Sequence, residues 1–271
     1  MIEVWTTLDG IKTHFGISGT GSKVALIHGF GQSISTSWVS NIEDLSQKFQ
    51  LIVLDLPGLG ESEKAREPDL VEYFPRFFNH FLYSIGVERT AVVGHSLGAV
   101  VATRFAIAHP ERTQALILVS GFGPVRLAKK LSIVMSAIDR LVGRSETDMA
   151  RQYARSLLQQ KELVTDELIR TFVKGAEVPG TKNFDIRLWR ILNLRFPDEE
   201  LARIAVPTLL LHGAEDELVS PANSIRASAL IKGSELQILE GCGHWVQRES
   251  PRTFNDLIST FLKRHLSSKP L

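Results

Sequence analysis

One cysteine, Cys242, stands in the 271 residues of this chain. A lone thiol closes no internal disulfide and builds no cysteine-based zinc site, so a disulfide scaffold and a zinc module are both excluded. Long apolar runs are also missing. Residues 115–119 and 209–211 are strand-length, far short of the roughly 18 residues of a membrane span. Charge of one sign is scarce too: 31 Lys and Arg stand against 30 Asp and Glu, a formal net charge of +1. A nucleic-acid protein would show a basic excess, and none is present. Residues 1–10 contain Glu3 and Asp9, where a secretory leader needs a basic start and an apolar stretch. The end, Ser267-Ser268-Lys269-Pro270-Leu271, is not a peroxisomal address because Pro270 interrupts it. The expectation is a soluble cytoplasmic protein with no nucleic-acid or membrane partner.

What is present is ordinary globular composition, 44% hydrophobic and 23% charged, with ample length to bury a core. Short, continuously apolar runs at residues 23–28, 51–54, 91–93, 115–119, 208–211 and 236–239 stop at glycine or polar turns. Strands buried on both faces read this way, and helical patterns between them predict a parallel sheet covered by helices. Residues 4–7 and 13–18 predict an antiparallel hairpin at one edge. Val71, Phe74, Phe78, Phe81, Leu82 and Ile85 predict a helix, with Pro75 in its first turn or breaking it. Residues 97–108 predict another. Phe254, Leu257, Ile258, Phe261 and Leu262 form one apolar stripe behind Pro251.

The strand rhythm lapses over residues 122–196, where only helical patterns occur, around 127–141, 149–158, 166–173 and 184–194. This predicts an all-helical insertion between two strands of one sheet. The core is then residues 1–121 and 197–271. The insertion carries 14 Lys and Arg against 8 Asp and Glu, leaving +6 there and −5 in the remainder.

The sharpest motif is Gly94-His95-Ser96-Leu97-Gly98, between a strand and a helix. A serine on such a turn has its hydroxyl pushed out at the sheet's carboxyl edge, and the flanking glycines remove side chains that would clash. Serine needs a base. His244 follows the last strand in Gly241-Cys242-Gly243-His244-Trp245. Asp216 follows the preceding strand in His212-Gly213-Ala214-Glu215-Asp216-Glu217. This is the order serine, acid, histidine expected for such a turn. Glu215 and Glu217 are rivals for the acid. Asp55 precedes the serine and reads as a turn cap. His14, His80, His109 and His265 read as surface or helix residues, and His212 as a satisfied core histidine. Cys242 reads as a small, partly buried thiol. The turn His28-Gly29-Phe30-Gly31 would place the Phe30 N–H beside the Leu97 N–H as a two-donor oxyanion hole. His28, Gly29, His95, Phe122, Trp189, Arg190 and Trp245 are candidate substrate contacts.

His28-Gly29-Phe30-Gly31, Asp55-Leu56-Pro57-Gly58-Leu59-Gly60-Glu61-Ser62, the Ser96 motif, Gly213-Ala214-Glu215-Asp216 and Gly243-His244-Trp245 together resemble the α/β-hydrolase superfamily over nearly the whole chain. The resemblance implies an α/β fold with a mostly parallel eight-stranded sheet and a helical cap after the sixth strand. It also implies a Ser-His-Asp hydrolase without cofactor or metal. Ser96 stands where epoxide hydrolases and haloalkane dehalogenases carry aspartate, and Gly-Phe-Gly replaces the glycine-proline loop of proline iminopeptidases. The tail around His244-Trp245 is similar to the meta-cleavage-product C–C hydrolases, although those usually have asparagine where His95 stands. The serine motif and His-Trp pair are also similar to carboxylesterases acting on carrier-linked acyl esters.

The reading is therefore a carboxylesterase acting on a small ester, anionic or carrier-linked, as a monomer or homodimer. C–C bond hydrolysis is the alternative within the fold, with Arg190 holding a substrate carboxylate. A ligand receptor or pseudoenzyme is the alternative from another class. Arg187, Arg190 and Arg195 beside Trp189 would give the pocket a basic mouth, with Phe122, Leu127, Leu131 and Met135 supplying its apolar wall.

Overall fold

A computed structural model describes residues 1–67, 69–121, 123, 145–176 and 194–266. Eight strands form one sheet: β1 (Ile2–Leu8), β2 (Ile11–Ser18), β3 (Lys23–Ile27), β4 (Gln50–Leu54), β5 (Thr90–His95), β6 (Thr113–Val119), β7 (Thr208–Gly213) and β8 (Glu235–Leu239). Their order is β1-β2-β4-β3-β5-β6-β7-β8. The β1–β2 hairpin lies at one edge and joins the sheet through an antiparallel β2–β4 pair. Every other pair is parallel.

Continuous apolar strands arise because both faces of the sheet are covered. Side chains alternate across a strand. Ala25, Ile27, Val92, Leu116 and Leu118 thus join one buried cluster, with Phe74, Phe78, Phe81 and Phe105 from the helices Leu70–Ser84 and Leu97–Ala108. Val24, Leu26, Val93, Ile117 and Val119 join the opposite cluster, with Trp38, Phe254, Ile258 and Phe261. The stripe behind Pro251 is the helix Pro251–Leu266.

Pro75 departs from expectation: it lies inside the helix Leu70–Ser84, beyond the first turn. An interior proline forfeits one helical bond and costs about 3 kcal/mol. Burial of Phe74, Phe77, Phe78 and Phe81 around it offsets that cost, and Asp69 caps the start by accepting the Val71 N–H.

Between β6 and β7 the described residues include the helices Glu146–Leu157 and Asp166–Ala176. They contribute Ala154, Leu157, Leu168, Ile169 and Phe172 to a third cluster, closed by Leu218, Val219 and Trp245. These helices therefore rest on the turns that follow β7 and β8. The helical pattern around 127–141, and that around 184–194 up to residue 193, lie outside the described residues. Among the described residues no helix is long and apolar enough to cross a membrane.

Candidate active site

Ser96 sits between β5 and the helix Leu97–Ala108 with φ 52° and ψ −112°. A side chain in that left-handed region is strained by a few kcal/mol, which a surrounding fold must hold in place. The flanking glycines show how. A Cβ on Gly94 would lie 2.2 Å from the Gly98 carbonyl oxygen, and one on Gly98 would lie 2.2 Å from the Ile27 carbonyl oxygen. Helix, serine turn and β3 are thus in backbone contact that only glycine permits.

Three sheet-edge turns converge on the serine. Ser96 Oγ lies 2.9 Å from His244 Nε2, and His244 Nδ1 lies 2.7 Å from Asp216 Oδ2. In the consistent tautomer Ser96 donates to Nε2, and Nδ1–H donates to the carboxylate. The other Asp216 oxygen accepts the Leu218 and Val219 N–H groups at 2.8 and 2.9 Å. His212 Nε2 donates a second bond to Asp216 Oδ2 at 3.0 Å, while Ser224 Oγ meets its Nδ1 at 2.7 Å. Burial pushes the Asp216 carboxyl up. The electrostatic pull of His244 and the hydrogen bonds from both histidines outweigh it and hold the group well below the usual carboxylate range. Asp216 is therefore an anion at neutral pH, as a carboxylate that orients an imidazole must be.

The turn after β3 lies beside this chain. Ile27 pairs with Gly94 across β3 and β5, so the Phe30 turn and the serine turn leave neighbouring parallel strands at one edge. Leu97 opens its helix, which makes its N–H one of the orphan donors of a helix start. Serine hydroxyl, imidazole and carboxylate together can attack an acyl carbon and shuttle one proton. Among the described residues no cluster of metal-ligating side chains occurs.

A family model for the alpha/beta hydrolase fold matches residues 24–251. The chain belongs to the alpha/beta hydrolase family. This hydrolase is 28% identical to a 2-hydroxy-6-oxo-2,4-heptadienoate hydrolase of Pseudomonas putida, over 93% of either chain. A solved mutant of the meta-cleavage product hydrolase CumD, an enzyme of Pseudomonas fluorescens IP01, superposes with a TM-score of 0.85 at 26% identity, covering 97% of this chain and 98% of that one. Naproxen esterase from Bacillus subtilis shares the fold, with a TM-score of 0.82 at 22% identity over 96% of this chain and 91% of that one.

Several of the candidate substrate contacts are engaged within the fold itself. His28 is fully buried; its Nδ1–H donates to the Gly29 carbonyl at 2.7 Å and its Nε2 accepts the Leu56 N–H at 3.1 Å. No polar atom of the ring is left for a ligand. Gly29 is committed likewise: its N–H donates to Gln32 Oε1 and its carbonyl also accepts the Gln32 N–H. His95 is fully buried, with Nε2 donating to the His244 carbonyl at 2.8 Å and Nδ1 3.1 Å from Gln32 Oε1. It braces the histidine turn against the serine turn. Burial, helped by the neighbouring His244, pushes its pKa down to about 3, so the ring is neutral. Trp245 is buried against Leu157, Leu168, Phe172 and Val219 and faces the inserted helices. Phe122, Trp189 and Arg190, with Arg187, lie outside the described residues, and Arg195 is exposed.

One further reading changes. His14 is not a surface residue: it is buried on β2, stacked on Trp5, with Nδ1 2.7 Å from Asp55 Oδ2. Asp55 caps its turn by accepting the Glu61 N–H at 3.0 Å, and it also accepts the Ile34 N–H at 2.7 Å, tying the two turns together. Among the rivals for the acid, Glu215 instead accepts the Cys242 N–H at 3.0 Å. Burial, with Glu249 and Glu215 nearby, pushes the Cys242 thiol up to about 11, which makes it a poor nucleophile. Three contributors carry no local signature in the sequence: Gln32, Glu249 and Tyr153. Glu249 is the clearest. One oxygen accepts the Gly243 N–H at 2.8 Å, and the other accepts the Gln159 and Gln160 N–H groups at 2.6 and 2.8 Å.

Proposed function

We propose that this protein is a serine hydrolase that cleaves carboxylic esters through an acyl-enzyme on Ser96. The observation that carries the reading is the Ser96–His244–Asp216 chain, with contacts of 2.9 and 2.7 Å. His244 takes the hydroxyl proton as Ser96 Oγ bonds to the carbonyl carbon. The Phe30 and Leu97 N–H groups receive the oxyanion. Collapse breaks the C–O bond, and the alcohol leaves with the proton from His244. Water then attacks the acyl-serine, gives its proton to His244 and releases the acid, and the proton returns to Ser96. No step requires a metal or cofactor.

A second reading is favoured by the relatives. The Pseudomonas putida enzyme and a 2-hydroxymuconate semialdehyde hydrolase of Pseudomonas sp., 27% identical over 266 residues, are named for oxo-dienoate substrates, whose hydrolysis would break a C–C bond. The same serine chain serves that reaction if the leaving group is a stabilised carbanion protonated on carbon. One experiment separates the readings. Wild-type protein and Ser96→Ala are assayed against p-nitrophenyl esters and against 2-hydroxy-6-oxodienoates under identical conditions. Ester hydrolysis lost in the variant, with kcat/KM for the dienoates at least tenfold lower, is expected. Dienoate cleavage dominating in the wild-type protein would replace the ester reading with the C–C one. Full activity in Ser96→Ala would exclude both.

A further inference from the structure

Tyr153 lies in the inserted helix Glu146–Leu157, yet its phenol reaches the turn after β3. Its Oη donates to the Phe30 carbonyl oxygen at 2.6 Å across 123 positions of sequence. Contact continues into the next residue. Gly31 has φ +64°, and a Cβ there would stand 3.3 Å from the Tyr153 ring, so a side chain at 31 would press on the phenol that holds Phe30. The ring is wedged edge-on against Phe172, with centroids 5.5 Å apart, and Phe172 in turn meets Trp245 at 6.0 Å. Burial pushes the phenol pKa up, so the group remains a hydrogen-bond donor throughout any working pH.

The helix is itself anchored on the catalytic side. Leu157 stands four residues on from Tyr153, on the same helical face, and its carbonyl accepts the His244 N–H at 2.9 Å. Immediately beyond, the Gln159 and Gln160 N–H groups are held by Glu249, which also holds Gly243. One face of one helix thus touches the Phe30 turn and the His244 turn.

We propose that Tyr153 is a positioning residue for oxyanion stabilisation, acting through Phe30. A hydrogen bond to a peptide carbonyl fixes the plane of that peptide. Holding the Phe30–Gly31 peptide restricts ψ of Phe30 and so steadies the residue whose N–H, in the function proposed above, receives the developing oxyanion. Such preorganised donors matter in the transition state and little in the bound substrate. Tyr153 therefore acts on kcat rather than KM.

The inference rests on Ser96 being the nucleophile, and the test keeps the two apart. Wild-type protein is first treated with a fluorophosphonate and the adduct located by mass spectrometry. An adduct absent from Ser96 overturns the functional reading itself. With Ser96 labelled, Tyr153→Phe is compared with wild type, kcat being expressed per titrated active site so that any misfolded fraction drops out. The expected result is kcat lower by about tenfold, a part of the 10²–10³ lost with a whole oxyanion donor. KM is expected within twofold. Affinity for a trifluoromethyl ketone, whose serine adduct carries an oxyanion, is expected to fall in parallel with kcat, while affinity for the carboxylate product is unchanged. Unchanged kcat, a loss confined to KM, or equal losses for ketone and carboxylate would overturn the role of Tyr153 and leave that of Ser96 intact.

Discussion

Replacing Asp216 by asparagine probes the account at its most constrained point. Every contact the structure gives this carboxylate is an N–H donor: His244 and His212 on one oxygen, Leu218 and Val219 on the other. An asparagine amide offers one acceptor and one donor group. If its NH2 faces the histidines, His244 must turn over to the tautomer bearing hydrogen on Nε2, which cannot accept the Ser96 proton. If the NH2 faces Leu218 and Val219, two buried backbone donors oppose it. Neither orientation fits. Each opposed or orphaned buried donor costs about 1–3 kcal/mol, so two cost about 2–6 kcal/mol. At roughly 2–4 °C per kcal/mol for a chain approaching this size, Tm should fall by about 4–24 °C. Turnover should fall by about 10⁴, the scale of losing the productive tautomer in a triad. Thermal unfolding and p-nitrophenyl ester kinetics on the same preparation measure both. An asparagine variant within tenfold of wild-type kcat, or one with unchanged Tm, would refute the reasoning.

Acid should destabilise the fold through its buried histidines. Burial holds His95 near a pKa of about 3 and pushes His28 down too. The unfolded chain takes up protons near 6.5 that these buried rings refuse, so their contribution is complete above 6.5 and is lost as pH falls toward 3. For His95 alone, the loss between pH 7 and pH 5 is about 2 kcal/mol. His14 acts in the opposite sense: its burial lowers the pKa, but Asp55 outweighs that and raises it, so it favours the fold below 6.5. Urea unfolding at pH 7 and pH 5 should show a smaller loss in His95→Asn than in wild type; identical losses would remove His95 from the explanation. Gly98→Ala should cost about 1–3 kcal/mol or more, because its Cβ would meet the Ile27 oxygen at 2.2 Å and the His28 oxygen at 2.8 Å. Because those atoms lead into the Phe30 turn, kcat should fall even at temperatures where the variant is fully folded; wild-type kcat and Tm together would contradict the close contact.

Much of the sheet was legible because double-sided burial leaves a simple trace. Runs such as residues 23–28 and 115–119 carry no polar alternation, and in the fold their successive side chains enter opposite apolar layers. The serine turn was legible because backbone contact on both sides of it demands glycine at fixed spacing. His244 and Asp216 were readable from chain order and from their places after the last two strands. What escaped has no local pattern. His14 looks like any polar residue in an edge hairpin until Asp55, 41 positions away, is seen beside it. Tyr153 and Glu249 act through partners about 90–120 positions distant. The bracing bonds of His28 and His95 leave no local trace for a related reason: their partners, Leu56, Gln32 and the His244 carbonyl, lie 28 to 149 positions away. The Pro75 helix shows tertiary burial overriding local propensity.

The central claim is that Ser96 becomes acylated. Rapid-quench mass spectrometry during hydrolysis of an activated ester by the wild-type protein tests it directly. The account predicts a transient mass increase equal to the acyl group, carried by the peptide containing Ser96 and absent from Ser96→Ala. Steady turnover with no acyl adduct, or an adduct on any other residue, would contradict it.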